Sequence, residues 1–212
     1  MIIAHKSAAR FFWLSLLCVA AAFLNLLFMF LTFDIFRIPL FVDSVFTAAV
    51  TFYAGPVPGL AVVLIHLVFR FLIIADISLF VIVSIVEVII IWRLKPDAGI
   101  IRPAVRDRWA FTETVTVFAS LMLLYIATGV TASVLGGLID YVHFSILGHQ
   151  RQFFSQSDVF SAGFYGSGIH QLAVGILSRI PVNLIDRAIV IFGGYFIALG
   201  IKKIGERLLK EV

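Results

Sequence analysis

Six stretches of this chain are rich in apolar residues and poor in charge, separated by shorter polar segments. They run over residues 11–33, 40–54, 57–74, 77–94, 109–138 and 179–202. An apolar run of about 20 residues crosses a hydrocarbon core about 30 Å thick as a helix, because lipid offers no partner to an unpaired backbone group. The pattern predicts an all-α integral membrane protein, a single domain over residues 1–212 made of six transmembrane helices, with no soluble domain appended. The second stretch is the shortest. The first starts beside charges, as a signal peptide does, but its apolar run is too long for an h-region. Leu31-Thr32-Phe33-Asp34 offers no small-residue cleavage site, so the segment reads as a retained helix.

Polar residues recur inside these stretches at helical spacing. Asp43, Thr47 and Thr51 fall at i, i+4 and i+8, and His66 and Arg70 at i and i+4. Ser84 and Glu87 share a face, as do Thr112, Thr116 and Ser120, and then Arg179, Asn183 and Asp186. A charge at the middle of a spanning helix costs about 2.5 to 3.5 kcal/mol on insertion scales, so such residues turn to the bundle interior or a wet cavity. One polar stripe per helix implies a shared polar interior. The Thr and Ser stripes read first as packing contacts, because small hydroxyl side chains let helices approach closely. Asp43 and Arg70 lie at matching depth on two helices joined by Gly55-Pro56-Val57-Pro58-Gly59, and fit either a structural ion pair or direct ligand contacts.

The connections differ in character. Residues 93–108 contain Pro96, Gly99 and Pro103 and form a short basic connector. Residues 140–178 form a long segment of glycines and aromatics, expected as a folded outer cap over a pocket, although an interfacial aromatic belt explains the same composition. Tyr141, Phe164 and Tyr165 are its candidate stacking groups. With both termini cytoplasmic, eleven of the 16 Lys and Arg fall in inner segments and only Arg37 and Arg151 in outer loops. That asymmetry is the one the positive-inside rule describes.

Composition narrows the function classes. Hydrophobic residues make up 62% of the chain and charged residues 13%, with a mean hydropathy of +1.11. The net charge of +4 is a topology signal, since no basic and aromatic surface of the nucleic-acid-binding kind accompanies it. Cys18, the single cysteine, excludes a disulfide framework and reads as a packing residue. His143, His149 and His170 lack carboxylate or cysteine partners at ligand spacing, so no metal or other cofactor is expected. Walker-type and HExxH motifs are absent, no internal repeat marks a complete transporter, and no motif aligns a nucleophile with a base, so an enzyme is not expected.

Pro39-Leu40-Phe41-Val42-Asp43-Ser44-Val45-Phe46-Thr47, followed by the Gly55–Gly59 turn, resembles the start of substrate-binding S components of energy-coupling factor (ECF) transporters. Gly129-Val130-Thr131-Ala132-Ser133, Gly136-Gly137 and Pro181-Val182-Asn183-Leu184-Ile185-Asp186-Arg187 are similar to later parts of the same family. The resemblance covers most of the chain. It implies a multi-pass module in a bacterial or archaeal cell membrane that captures a vitamin or related micronutrient from outside. Such a module docks on a membrane coupling subunit driven by two cytoplasmic ATPase subunits, and docking in that family uses small residues of the first helix. Ser15, Cys18 and Ala22 belong to the small-residue patch here, without a clean four-residue spacing of alanines. The substrate contacts expected on this reading are Asp43, Arg70, Glu87, Tyr141, Phe164, Tyr165, Arg179 and Asn183. Arg70 and Arg179 suit a ligand carboxylate or phosphate. A membrane sensing or signalling module without an output domain is the rival reading.

Overall fold

The chain reverses between the second and third apolar stretches at Gly55, whose φ of +93° is strained for any residue with a Cβ. Its N–H closes the preceding helix on the Thr51 carbonyl at 3.0 Å. Pro56 opens the next helix at a position that needs no N–H donor. The computed structural model describes residues 2–36, 42–74, 78–96, 109–147 and 168–208, and every regular element among them is helical. Helix α1 is Ile2–Phe30 and runs on through a π-helical turn, Leu31–Ile35. A 3-10 turn, Val42–Ser44, leads into α2, Val45–Ala54; α3 is Pro56–Ile74 and α4 is Val81–Leu94. Helix α5, Trp109–Asp140, continues through a π-helical turn at Tyr141–Ile146. Helix α6, Gln171–Ala188, passes through the π-helical turn Ile189–Gly193 into α7, Gly194–Leu208.

Four segments are long and apolar enough to cross a membrane: Ala8–Phe30, Pro56–Ile73, Thr112–Ile146 and Gln171–Arg207. The other two expected spans form shorter helices, 10 residues in α2 and 14 in α4. Helix α2 is short because it is the core. Seven of its residues are buried, from Val45 to Phe52, and they lie on all sides of the helix. One side packs with Ile91, Leu124, Val190 and Tyr195; the other meets Cys18, Ala22 and Val62.

Surface and interior are inverted relative to a water-soluble protein. Phe11, Phe12, Leu72, Phe118 and Phe196 are exposed, whereas Asn25, Thr51, Glu87, Asn183, Asp186 and Arg187 are buried. Apolar exteriors of this extent belong against lipid. The polar interior was expected, but not every stripe contributes: Thr112 and Thr116 are exposed, and Thr116 bonds back to the Thr112 carbonyl at 2.8 Å. Helix α5 turns Thr128, Ala132 and Ser133 inward instead.

Helix ends also depart from the apolar pattern. The fifth helix continues past residue 138 and the sixth begins at Gln171, so Tyr141 stands on a helical turn rather than in a loop. The sequence places a boundary at Asp140 because a carboxylate breaks the apolar run. In the structure that carboxylate is buried and paired with Arg179, which removes the reason to stop. The remainder of the expected outer cap, including Phe164 and Tyr165, lies outside the described residues, as do residues 97–108 of the basic connector.

The docking expectation for α1 changes as well. Cys18 and Ala22 are buried against α2 and α3, and the Cys18 thiol lies 3.6 Å from the Pro58 carbonyl. Their small size lets α1 approach its own neighbours and leaves them no free surface for a partner. Ser15 is exposed, its hydroxyl bonded to the Phe11 carbonyl at 3.0 Å.

Candidate functional site

Helices α5 and α6 meet closely because glycines face each other. A Cβ on Gly137 would come within 2.6 Å of the Ile176 nitrogen and 2.8 Å of the Gly175 carbonyl carbon. At the preceding residue, a Cβ on Gly136 would stand 3.1 Å from both Cδ and Nη1 of Arg179. The missing side chain is the channel through which Arg179 crosses to α5. There its Nε and Nη2 donate to a single Asp140 oxygen at 2.9 and 2.8 Å. Its guanidinium carbon lies 4.7 Å from the centre of the Phe80 ring, an additional cation–π contact.

Further along the same interface, Asn183 Nδ2 donates to Ser133 Oγ at 3.1 Å, and Ser133 donates to the Gly129 carbonyl at 2.8 Å. Next comes Arg187, also fully enclosed. Its Nη1 pairs with Glu87 of α4 and donates to Ser44 Oγ at 3.1 Å, and its Nη2 lies 2.9 Å from Asp186 Oδ2. A guanidinium in low dielectric needs such partners, since an uncompensated buried charge costs several kcal/mol. Arg187 thereby ties α6 to α4 and to the turn before α2.

Between these helices is a cavity of about 260 Å³. Asp43 and Arg70 reach it from the α2–α3 hairpin, and Arg179, Asn183 and Arg187 from α6. Ser78, Phe80, Val83 and Ser84 line it at the start of α4, with Met29 of α1 and Ala132 of α5. A second space of about 50 Å³ adjoins it, shares Asp43, Arg70 and Ser84, and extends past Thr47 to His66. The larger cavity has room for a small organic molecule; an engineered cavity of about 150 Å³ admits benzene.

The nominated contacts therefore divide. Asp43, Arg70, Arg179 and Asn183 converge on one cavity. Glu87 does not line it and stands behind it, holding Arg187. Tyr141 is half-buried beside His170, ring centres 5.9 Å apart, and is likewise off the cavity wall. Sequence reasoning passed over Arg187 as a wall residue, and Asp140 as the partner of Arg179. A usable signal existed: Gly129, Ser133, Gly136 and Gly137 fall on one face of α5, opposite two arginines eight residues apart on α6.

Asn25 is another interior group without a sequence signal. It is fully buried, donates to Thr47 Oγ1 at 2.8 Å, and accepts the Phe46 N–H at 3.0 Å. That N–H is one of the unpaired donors in the first turn of α2, so α1 caps α2 from the side. Among the described residues, no group of three or more His, Cys, Asp or Glu side chains is placed to hold a metal ion. Comparison with family models, curated proteins and solved structures finds no match to this chain.

Proposed function

We propose that this chain is the substrate-capture subunit of an ECF-type importer, taking a vitamin-like micronutrient from outside and passing it to a coupling subunit driven by two ATPases. The observation that carries the reading is the cavity itself. Its walls join five segments distant in sequence, and they combine charged, hydroxyl, amide and aromatic groups in a bundle whose exterior is apolar. Binding sites have that composition, with an apolar frame and a few converging polar groups.

Orientation supports the same reading. Lys95 donates to the Phe52 carbonyl at 3.4 Å beside the Gly55 turn, and a Cβ on Gly205 would meet the Tyr53 hydroxyl at 2.8 Å and Trp13 Nε1 at 3.4 Å. Lys95, Lys202 and Lys203 thus share the Gly55 end of the bundle, and Asp43 and Arg70 belong to the other end of the α2–α3 hairpin. Under the positive-inside rule the Gly55 end is cytoplasmic and the cavity sits in the outer half. The proposed topology is six spans with both termini inside, α2 and α4 crossing with the help of their flanking turns. Exposed Ser15 is the member of the small-residue patch that a coupling subunit would meet.

The test is isolation of the tagged chain from its native membrane in mild detergent. A coupling subunit and two ATPases are expected to copurify, and denaturation should release a small polar molecule detectable by mass spectrometry. Asn183→Leu should abolish that release while the protein still folds. Recovery of the chain without such subunits and without any released molecule would overturn the proposal.

A further inference from the structure

Each arginine that α6 presents to the cavity has its counter-charge on the far side. Arg179 and Arg187 line the cavity, whereas Asp140, Glu87 and Asp186, which pair with them, do not. A guanidinium with its carboxylate behind it is a dipole whose positive end faces the space, and the nearer pole dominates because Coulomb energy falls with distance. The sign does not depend on the state of fully buried Asp186. Ionised, it is the farther pole; neutral, it leaves Arg187 less compensated. Asp43 is the one carboxylate among the described residues that line the cavity, and it comes with Arg70 on the same hairpin, so that wall brings one charge of each sign. The α6 wall brings two guanidinia, with the Asn183 amide midway between them on one helical stripe.

We infer that the ligand of this cavity carries a carboxylate, held against Arg179 and Asn183 of α6, on a framework about the size of one aromatic ring. The inference rests on the capture reading above and narrows its substrate class to small monocarboxylates. Arg179 commits Nε and Nη2 to Asp140, and its Nη1 makes no hydrogen bond among the described residues. The bond to Asp140 holds the guanidinium in place before any ligand arrives, so little side-chain freedom is lost on binding. Asn183 gives one Nδ2 hydrogen to Ser133 and keeps the other. A hydrogen bond from a guanidinium to a carboxylate is roughly twice as strong as one between neutral groups, so this wall discriminates in favour of the anion. One negative charge is the limit, because the carboxylates behind the wall already offset most of the guanidinium charge. The cavity, about 260 Å³, exceeds the roughly 150 Å³ that holds benzene and leaves room for one carboxylate on a ring, with Val83 and Met29 against the apolar edge.

The experiment titrates four probes built on one ring, benzoate, benzamide, benzylammonium and phenyl phosphate, into the purified full chain in neutral detergent at pH 8. Ligands that bind only the folded state raise the unfolding temperature as they fill the site. Benzoate should bind about tenfold more tightly than neutral benzamide, and benzylammonium and phenyl phosphate more weakly than benzoate. Replacing the pair together, Asp140→Asn with Arg179→Gln, strands no charge and should reduce benzoate to the affinity of benzamide while leaving benzamide binding unchanged. Benzamide or benzylammonium binding as tightly as benzoate would overturn the inference while leaving the capture reading in place. A preference for phenyl phosphate, or a benzoate preference that survives the double substitution, would overturn it as well, as would binding by none of the four at tens of millimolar. If the double variant does not fold, the ranking on the native chain decides alone. Copurification with coupling subunits is a separate readout, so failure of the capture reading is recognised independently.

Discussion

Arg179 of α6 reaches Asp140 at the end of α5 through the space that Gly136 leaves open, and closes a two-donor bond onto one carboxylate oxygen at 2.8 and 2.9 Å. Both side chains are close to nine-tenths buried. Removing one partner leaves a buried charge unmatched, so Asp140→Ala should cost about 3–5 kcal/mol. In thermal unfolding in detergent that is a drop of about 2–4 °C per kcal/mol. Replacing both with leucine should cost less than either single change. If the double substitution is as damaging as the sum of the singles, the pair is not what holds this end of the bundle.

The α5–α6 contact gives a second, purely steric test. Gly137→Ala puts a methyl group against backbone atoms at 2.6 and 2.8 Å, which cannot rotate away. Overpacking of this kind costs about 1–3 kcal/mol, and here the two helices must separate to accommodate it. Gly200→Ala, with nothing within 4 Å, should leave the unfolding midpoint unchanged or slightly raised. Equal midpoints for the two variants would remove the glycine contact from the account.

Arg187 is enclosed by Glu87, Asp186 and Ser44, and Arg187→Met would leave two carboxylates buried together. A loss of about 3–5 kcal/mol is expected, with weakened ligand retention because the cavity wall moves. The uncharged combination Glu87→Gln, Asp186→Asn and Arg187→Met should recover at least half of that loss. A triple variant no more stable than Arg187→Met alone would show that packing of the guanidinium, not charge balance, dominates.

Asn25 couples α1 to α2 through two bonds, one to the Thr47 hydroxyl and one from the Phe46 N–H. Asn25→Leu is expected to destabilise by about 1–3 kcal/mol, since it strands a buried donor and a buried hydroxyl. Thr47→Val breaks only one of the two and should cost less. Hydrogen exchange at Phe46 provides the local readout: faster exchange in the Asn25 variant and near-normal exchange in the Thr47 variant.

Much of the site was legible in the pattern of polar positions. Asp43, Arg70, Arg179 and Asn183 stand out as charges and an amide inside apolar stretches, where insertion cost admits them only on an inward face. Glu87 stood out by the same rule, and the rule could not tell a cavity wall from the ion pair behind it. Tyr141 is a candidate by composition alone, and composition does not report which way a ring turns. The small residues of α1 show the same limit, since packing against a sister helix and packing against a partner protein favour the same alanine and cysteine.

The sequence by itself determined that the chain is helical and built for lipid, because hydrocarbon admits few charges and no unpaired backbone, and both constraints are written in single residues and short runs. It also placed the Gly55 turn, where a positive φ demands glycine. Only the tertiary structure decided that α2 is enclosed by its neighbours, that Asp140 belongs to Arg179 and Glu87 to Arg187, and that both arginines are largely spent within the protein. Such pairings join residues up to 100 positions apart. They depend on where glycines on one helix let a long side chain on another pass, which no local property of either residue encodes.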